Sequence, residues 1–363
     1  MSIAILTLLV MVLGLTEGAI TVGRRYHSRH PRYPSLGMTK SVDPSLYELT
    51  VNAPHPKTAQ TALRHCETWG VYSAKNVVSR HTAQAFEACV GFVDKFYQQN
   101  QDQDQDQPPG TPQGVILDSG CGQGLSTLRL ARQSPHLPVI GIDRSFDRLS
   151  RNVLARDRDV IEDMDDDEDE VEDTDSIDSR ARNTHSTARE QSLPFVRSYP
   201  SHPNLLFVRA EISDFWQLSA ANSSWSVHEH HLLYPNPYPK AKHLHRRFHG
   251  HPNFPLLLCL GGKLRLRSNW KVYCDEMEES IKAVVTPRLF PQHVERLETC
   301  VTKRLVLDAT VPDMTHFERK YRAVGLDLFE TRFDMDSVSP SLREQMLDHL
   351  RLVSRCRGVG ASG

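Results

Sequence analysis

The sequence predicts an α/β fold built on a mainly parallel sheet. Three observations carry this reading. Short apolar runs of strand length alternate with segments of helical period along the second half of the chain. A glycine-rich turn follows the first of those runs, and an acidic residue closes the second. Strands that alternate with helices pair in parallel, because each crossover helix returns the chain to the same edge of the sheet.

The elements follow in order. Residues 58 to 98 read as helical, with Ala, Leu and Phe at three- and four-residue spacing through His81 to Tyr97. Gln98 to Gly110, which contains QDQDQDQPPG, is too polar to join a core and reads as an unstructured linker. Gly114 to Asp118 is a buried strand, Leu125 to Gln133 a helix and Leu137 to Asp143 a second strand. A helix begins at Asp147 and is expected to reach Asp157. From Asp157 to Ser192 an acidic stretch and a Ser/Thr/Arg-rich stretch interrupt the pattern. Like charges repel, so this reads as a disordered insertion. Strands are expected again at Asn204 to Arg209, His230 to Tyr234, Lys263 to Arg267 after the Gly261-Gly262 turn, and Leu326 to Phe333. The expected organisation is a leader over 1–45, a helical extension over 46–97, a linker over 98–113 and a catalytic domain over 114–355 with its insertion at 157–192.

Charge is segregated along the chain. The 363 residues carry a formal net charge of only -2, yet Glu162 to Asp178 is acidic and Lys240 to Arg247 is basic. Seven cysteines are dispersed with no CxxC pair, against a disulfide framework and a cysteine zinc site. Ile3 to Leu15 is apolar but too short for a stable membrane span. Arg24, Arg25, Arg29, Arg32 and Lys40 follow, with no acidic residue from Gly18 to Val42. That combination reads as an organelle-targeting leader, for a mitochondrion or plastid. Cytoplasm or nucleus is the alternative.

The chemistry begins at VILDSGCGQGLS. Asp118, Gly120, Gly122 and Gly124 lie between a buried strand and a helix. Glycine suits a tight turn that a ligand approaches closely. Asp143 ends the next strand, where a carboxylate accepts hydrogen bonds from ribose hydroxyls. Dinucleotide sites favour Gly-x-Gly-x-x-Gly and seat pyrophosphate on the helix N-terminus. Here the spacing is Gly-x-Gly-x-Gly behind an acidic residue. An anionic side chain suits a cofactor with a cationic end, the amino group and sulfonium of S-adenosylmethionine. The segment resembles motif I of Rossmann-like class I methyltransferases. The resemblance implies that Asp118 and the glycines hold the methionine moiety, that Asp143 holds the ribose and that Glu211 lies near the adenine, with Arg144 and Ile212 also at the cofactor.

Tyr234 to Arg247 reads YPNPYPKAKHLHRR. With LGGKLRLRSNW before Lys271, and THFE at Thr315 to Glu318, it resembles the tRNA (guanine-N7)-methyltransferase family. The resemblance covers roughly Gly114 to Phe333 without the insertion. It implies a mostly parallel seven-stranded sheet with its last strand antiparallel, S-adenosylmethionine as methyl donor, and tRNA as partner. It also implies that Asn236 is the catalytic position. Lys240, Arg246, Arg247, Asn269, Thr315 and Glu318 would then bind substrate. The basic segment supports an RNA partner, since phosphate contacts supply most nonspecific affinity.

Two positions depart from the family, which carries Asp where this chain has Asn236 and Asn269. Guanine N7 is already an unprotonated nucleophile, so alignment matters more than a strong base. Asn236-Pro237-Tyr238 also resembles the Asn-Pro-Pro-aromatic motif of methyltransferases acting on exocyclic or amide nitrogens. Amino-nitrogen methylation and a silent RNA-binding homologue therefore stay open as alternatives. Histidines cluster between His228 and His251, and His245 and His249 are spaced for one helix face. No accompanying Cys or Glu completes a convincing metal site, so these are expected to be surface or RNA-facing residues. Cys121 and Trp270 are expected to pack. A partner subunit is not legible.

Overall fold

The computed structural model describes residues 53–73, 78–100, 113–154, 195–285, 300–307, 310–334 and 348. The leader, most of the linker and the acidic insertion lie outside the described residues.

Two helices come first, α1 (Thr58–Ser73) and α2 (Arg80–Gln99). Then follow β1 (Gln113–Ser119), α3 (Leu125–Gln133), β2 (Val139–Asp143) and α4 (Phe146–Ser150). After the insertion come β3 (Val196–Tyr199), β4 (His202–Arg209), α5 (Ile212–Ala221) and β5 (Trp225–Leu233). Two 3-10 turns, Ala241–Arg246 and Phe248–Gly250, lead to α6 (Phe254–Cys259), β6 (Lys263–Ser268) and α7 (Lys271–Val285). The chain closes with β7 (Val301–Leu305), α8 (His316–Ala323) and β8 (Leu328–Asp334).

The strands form an eight-stranded sheet in the order β3-β4-β2-β1-β5-β6-β8-β7. The middle five are parallel, and β3, β7 and β8 join antiparallel. The sheet thus has one strand more than the resemblance implies: β3 adds to the edge beyond β4. Strand order reverses between β1 and β5, and at that point the loops after parallel strands open a crevice.

Helical segments are welded to the sheet by apolar faces. α3 presents Leu128 and Ala131 to Ile116, Val139 and Phe207. α2 presents Phe86 to Phe215 of α5 and Trp225 of β5, with centroids 5.2 and 5.1 Å apart. Buried aromatic pairs of this edge-to-face kind add to what area burial contributes. The N-terminal helices are therefore built into the core rather than attached beside it. Ser79 N donates to Asp214 Oδ2 (2.9 Å), and the Tyr97 hydroxyl donates to the Gly114 carbonyl at the start of β1 (2.7 Å). The helix expected from Asp147 begins at Phe146, with the Ser145 hydroxyl accepting from Arg148 N, and stops at Ser150.

Among the described residues, no helix is long and apolar enough to cross a membrane. The six described cysteines are buried thiols, Cys121 among them.

Candidate cofactor and substrate site

The turn after β1 is made by three glycines in the left-handed region: Gly120 (φ 85°), Gly122 (φ 61°) and Gly124 (φ 83°). They are glycines for different reasons. A Cβ on Gly122 would meet nothing within 4 Å, and one on Gly120 only the Ile212 side chain at 3.9 Å. Those two keep the crevice side of the loop bare. A Cβ on Gly124 would instead strike the Phe207 ring at 2.2 Å. Gly124, grouped by sequence with the cofactor residues, is thus fixed by the packing of α3 against β4.

Two carboxylates close the same crevice. Asp118 is 1% exposed, and its Oδ2 accepts from the Ser126 (2.6 Å) and Thr127 (2.7 Å) hydroxyls. Both donors use one oxygen, which ties the end of β1 to the first turn of α3. Burial pushes the Asp118 carboxyl up, and the two hydroxyls pull it only partly back. A cationic group arriving there would stabilise the ionised form. Asp143 at the end of β2 accepts from Gly122 N (3.0 Å) and Ser145 N (2.8 Å) and faces Arg148 at 3.3 Å. It is oriented by the glycine loop itself. Arg144, next in the chain, is exposed.

At the end of β4 the Ala210 amide donates to the Asp143 carbonyl (3.2 Å) and the Glu211 amide to the Thr82 hydroxyl of α2 (3.1 Å). This leaves the Glu211 carboxylate exposed and places Ile212 over Gly120. Asp118, Gly120, Gly122, Asp143 and Ile212 are therefore brought to one edge. A bare glycine backbone, two fixed carboxylates and an apolar side chain fit S-adenosylmethionine, with its cationic end, its ribose and its adenine.

β5 lies beside β1 with Asp118 opposite His231, so the loop after β5 emerges next to the glycine turn. That loop, Tyr234 to Pro239, is tightly set. Tyr234 (φ 53°) and Tyr238 (φ 45°) both adopt the left-handed region, a costly state for bulky residues. Asn236 is exposed, and its Oδ1 accepts from Tyr238 N (3.1 Å). A backbone N–H can only donate, so this bond fixes which end of the amide is the oxygen; a second lone pair on Oδ1 and the Nδ2 donors stay open to a ligand. Asn269, half-buried, follows the neighbouring strand β6. Lys240, Lys242, His245 and Arg246 are exposed on the first 3-10 turn, with Arg246 over the Tyr238 ring at 5.8 Å.

Arg247 does not belong with them. It is 1% exposed, and its guanidinium donates to the Tyr238 carbonyl (3.0 Å from Nη2) and the Pro239 carbonyl (3.3 Å). It also pairs with Glu276 of α7 and lies over Trp270 at 4.8 Å. The expectation that Arg247 binds RNA is therefore corrected: it holds the backbone of the Asn236 loop from within. His249 corrects the reading of the histidines in the same way. It is fully buried with Nε2 2.8 Å from Glu276 Oε2. His230 and His231 are buried in β5, His230 2.9 Å from the Ser119 hydroxyl and His231 3.0 Å from Glu229. Glu276 is the carboxylate partner that sequence did not supply for His249, but it serves an ion pair. Among the described residues no group of three or more possible metal ligands gathers.

Thr315 and Glu318 form the N-terminal cap of α8. The Thr315 hydroxyl accepts from Glu318 N, and the Glu318 carboxylate reaches back to Met314 N. Glu318 also accepts from the Tyr234 hydroxyl (3.0 Å) and Arg267 (2.8 Å), and Arg267 continues to Glu330 (3.0 Å). Glu318 is fully buried, so its expected role at the substrate becomes an internal one. It ties α8 to Tyr234, at the head of the Asn236 loop.

Tyr234, Glu276 and Arg267 were not picked out from sequence. A signal existed for Glu276: Val272, Tyr273, Met277, Ser280, Ile281 and Val284 mark the buried face of α7, and Glu276 falls on it.

No curated protein matches the chain. Among solved structures, the 16S rRNA methyltransferase KamB is similar at 15% identity, with 68% of this chain and 94% of that one covered and a TM-score of 0.35. The 16S rRNA (adenine(1408)-N(1))-methyltransferase of Catenulisporales acidiphilia, solved with its cosubstrate SAM, is similar at 11% identity. It covers 66% and 89% of the two chains, with a TM-score of 0.32. Residues 112–331, more than half of the chain, match the family described as "Putative methyltransferase". That span contains the glycine turn, both carboxylates, the Asn236 loop and α8. The methyl donor is S-adenosylmethionine, and the chain belongs to this methyltransferase family.

Proposed function

We propose that the chain methylates an unprotonated ring nitrogen of RNA, with guanine N7 in tRNA as its target. S-adenosylmethionine supplies an electrophilic methyl group on a positively charged sulfur. Asp118, Gly120 and Gly122 hold its methionine end, Asp143 its ribose, and Glu211 with Ile212 its adenine. Lys240 and Arg246 hold RNA phosphates beside the loop, and Asn236 and Asn269 orient the base. A ring nitrogen with an in-plane lone pair needs no base to remove a proton, only alignment with the methyl group.

The observation that carries this reading is the exposed Asn236 on a loop set beside the glycine turn, with exposed Lys240 and Arg246 following it. Its Oδ1 accepts from Tyr238 N and keeps a second lone pair, which can accept from the N1–H and amino group of a guanine. The resemblance of the Tyr234–Arg247 segment to the tRNA (guanine-N7) enzymes supports tRNA as the RNA. Mapping 7-methylguanine in tRNA from cells with and without the gene tests this reading. The expected result is a guanine whose mark disappears with the gene. An unchanged map contradicts it.

A further inference from the structure

α8 is an unusual helix for a folded domain. Of its eight residues, Glu318 alone is buried, and it is polar. Phe317, between the two capping residues, is 56% exposed. One exposed apolar side chain is ordinary on a protein surface, so what sets Phe317 apart is the rings it joins and where they lead.

Its surroundings say which kind. Tyr321, one turn on, stacks with Phe317 at 6.2 Å and an interplanar angle of 27°. Tyr321 in turn meets Tyr234 at 5.7 Å, and Tyr234 is held to the same helix through Glu318. A row of aromatic rings thus runs from the surface to the residue that begins the Asn236 loop. Exposed Lys320, three residues on, lies on the same side of the helix as Phe317. Aromatic faces take nucleobases whatever their sequence, and cations beside them take the connecting phosphates. Lys320, one helical turn from Phe317, favours a polyanion over a protein partner.

We infer that Phe317 is a stacking platform for an unpaired base of the RNA substrate, next to the base that enters the Asn236 loop, with Lys320 on its phosphate. The inference rests on the RNA substrate of the proposed function and adds a recognition residue to it.

The test uses the full-length chain and a fluorescently labelled in vitro transcribed tRNA, with binding read by anisotropy. Phe317→Ala is expected to weaken binding by roughly five- to a hundredfold, the range of one lost base stack. Phe317→Trp is expected to restore it and Phe317→Leu to fail. The thermal melt of Phe317→Ala should match the wild type, since little is buried. Wild-type binding with an equal affinity for Phe317→Ala overturns the inference and leaves the proposed function standing. Full rescue by Leu overturns it too, because an apolar contact then suffices. So does loss of self-association in Phe317→Ala without RNA, which would assign the ring to a second copy. Failure of the wild type to bind tRNA strikes the proposed function instead, and the inference falls with it.

Discussion

The guanidinium of Arg247 is shared between the carboxylate of Glu276 on α7 and the backbone carbonyls of Tyr238 and Pro239. Glu276 is 0% exposed and also takes His249 Nε2 and the backbone amide of His55 at 2.8 Å each. One buried cluster therefore joins the chain ahead of α1, the helix α7 and the loop that carries Asn236. Removing either charge strands the other in the interior. Arg247→Met is expected to cost about 3–5 kcal/mol of stability, the usual penalty for an uncompensated buried charge. Urea denaturation measures it. Arg247→Lys keeps the charge but not the planar fork, so a folded protein with slower methyl transfer is expected.

The glycine turn separates packing from binding. Gly124→Ala should destabilise the fold, because its Cβ would sit inside the Phe207 ring. Gly122→Ala meets no atom within 4 Å and costs only the left-handed backbone penalty, about 1–2 kcal/mol. It should stay folded and lose S-adenosylmethionine affinity. A thermal melt and calorimetric titration of both variants distinguish the two roles.

The carboxylates should matter for the cofactor in proportion to what they accept. Charged hydrogen bonds contribute about 1.5–3 kcal/mol, so Asp118→Asn and Asp143→Asn are each expected to weaken cofactor binding by at least tenfold. Calorimetry that returned wild-type affinity for both would remove them from the site.

Acid should weaken the fold through its buried histidines. Burial lowers His230 to about 3, and burial with His65 and His245 nearby lowers His251 to about 4. Their ordinary value is about 6.5, so below that pH the unfolded chain takes up protons that the folded chain refuses. Stability is therefore full above about pH 6.5 and falls as pH drops toward the folded values, by about 1.4 kcal/mol per unit for each group. Glu276 adds to this at lower pH. Burial opposes its ionisation, but His249 and Arg247 hold it at about 2, so its contribution is lost as pH falls below the ordinary carboxylate range. Denaturation midpoints between pH 7.5 and 5 should show a shallower slope for His230→Gln than for the wild type.

The parallel core of the fold was legible because β1, β2 and β4 are apolar on both faces and close on glycine or acidic punctuation. The edge strands were not. β3 reads Val196-Arg197-Ser198-Tyr199 and β7 reads Val301-Thr302-Lys303-Arg304-Leu305, and neither carries a strong apolar pattern. Edges tolerate and use such charges, so the pattern that marks a buried strand is missing there. At the site, sequence located Asp118, Asp143 and the Asn236 loop, because backbone turns and cofactor chemistry leave local marks. It could not separate Arg246 from Arg247, adjacent and chemically alike, since a 3-10 turn sends one outward and the other into the core. Only the partner on α7, 29 residues away, decides between them.

Guanine-N7 methylation is tested most directly by methyl transfer to unmodified tRNA with purified wild type and Asn236→Asp. A labelled methyl donor reports incorporation, and chemical cleavage at 7-methylguanine reports its position. Incorporation by the wild type with cleavage at a guanine is expected. Asn236→Asp is expected to keep or raise the rate. The added carboxylate would keep the bond to Tyr238 N and offset positive charge developing on the base. Incorporation without 7-methylguanine cleavage, or activity lost on Asn236→Asp and retained by Asn alone, would contradict it.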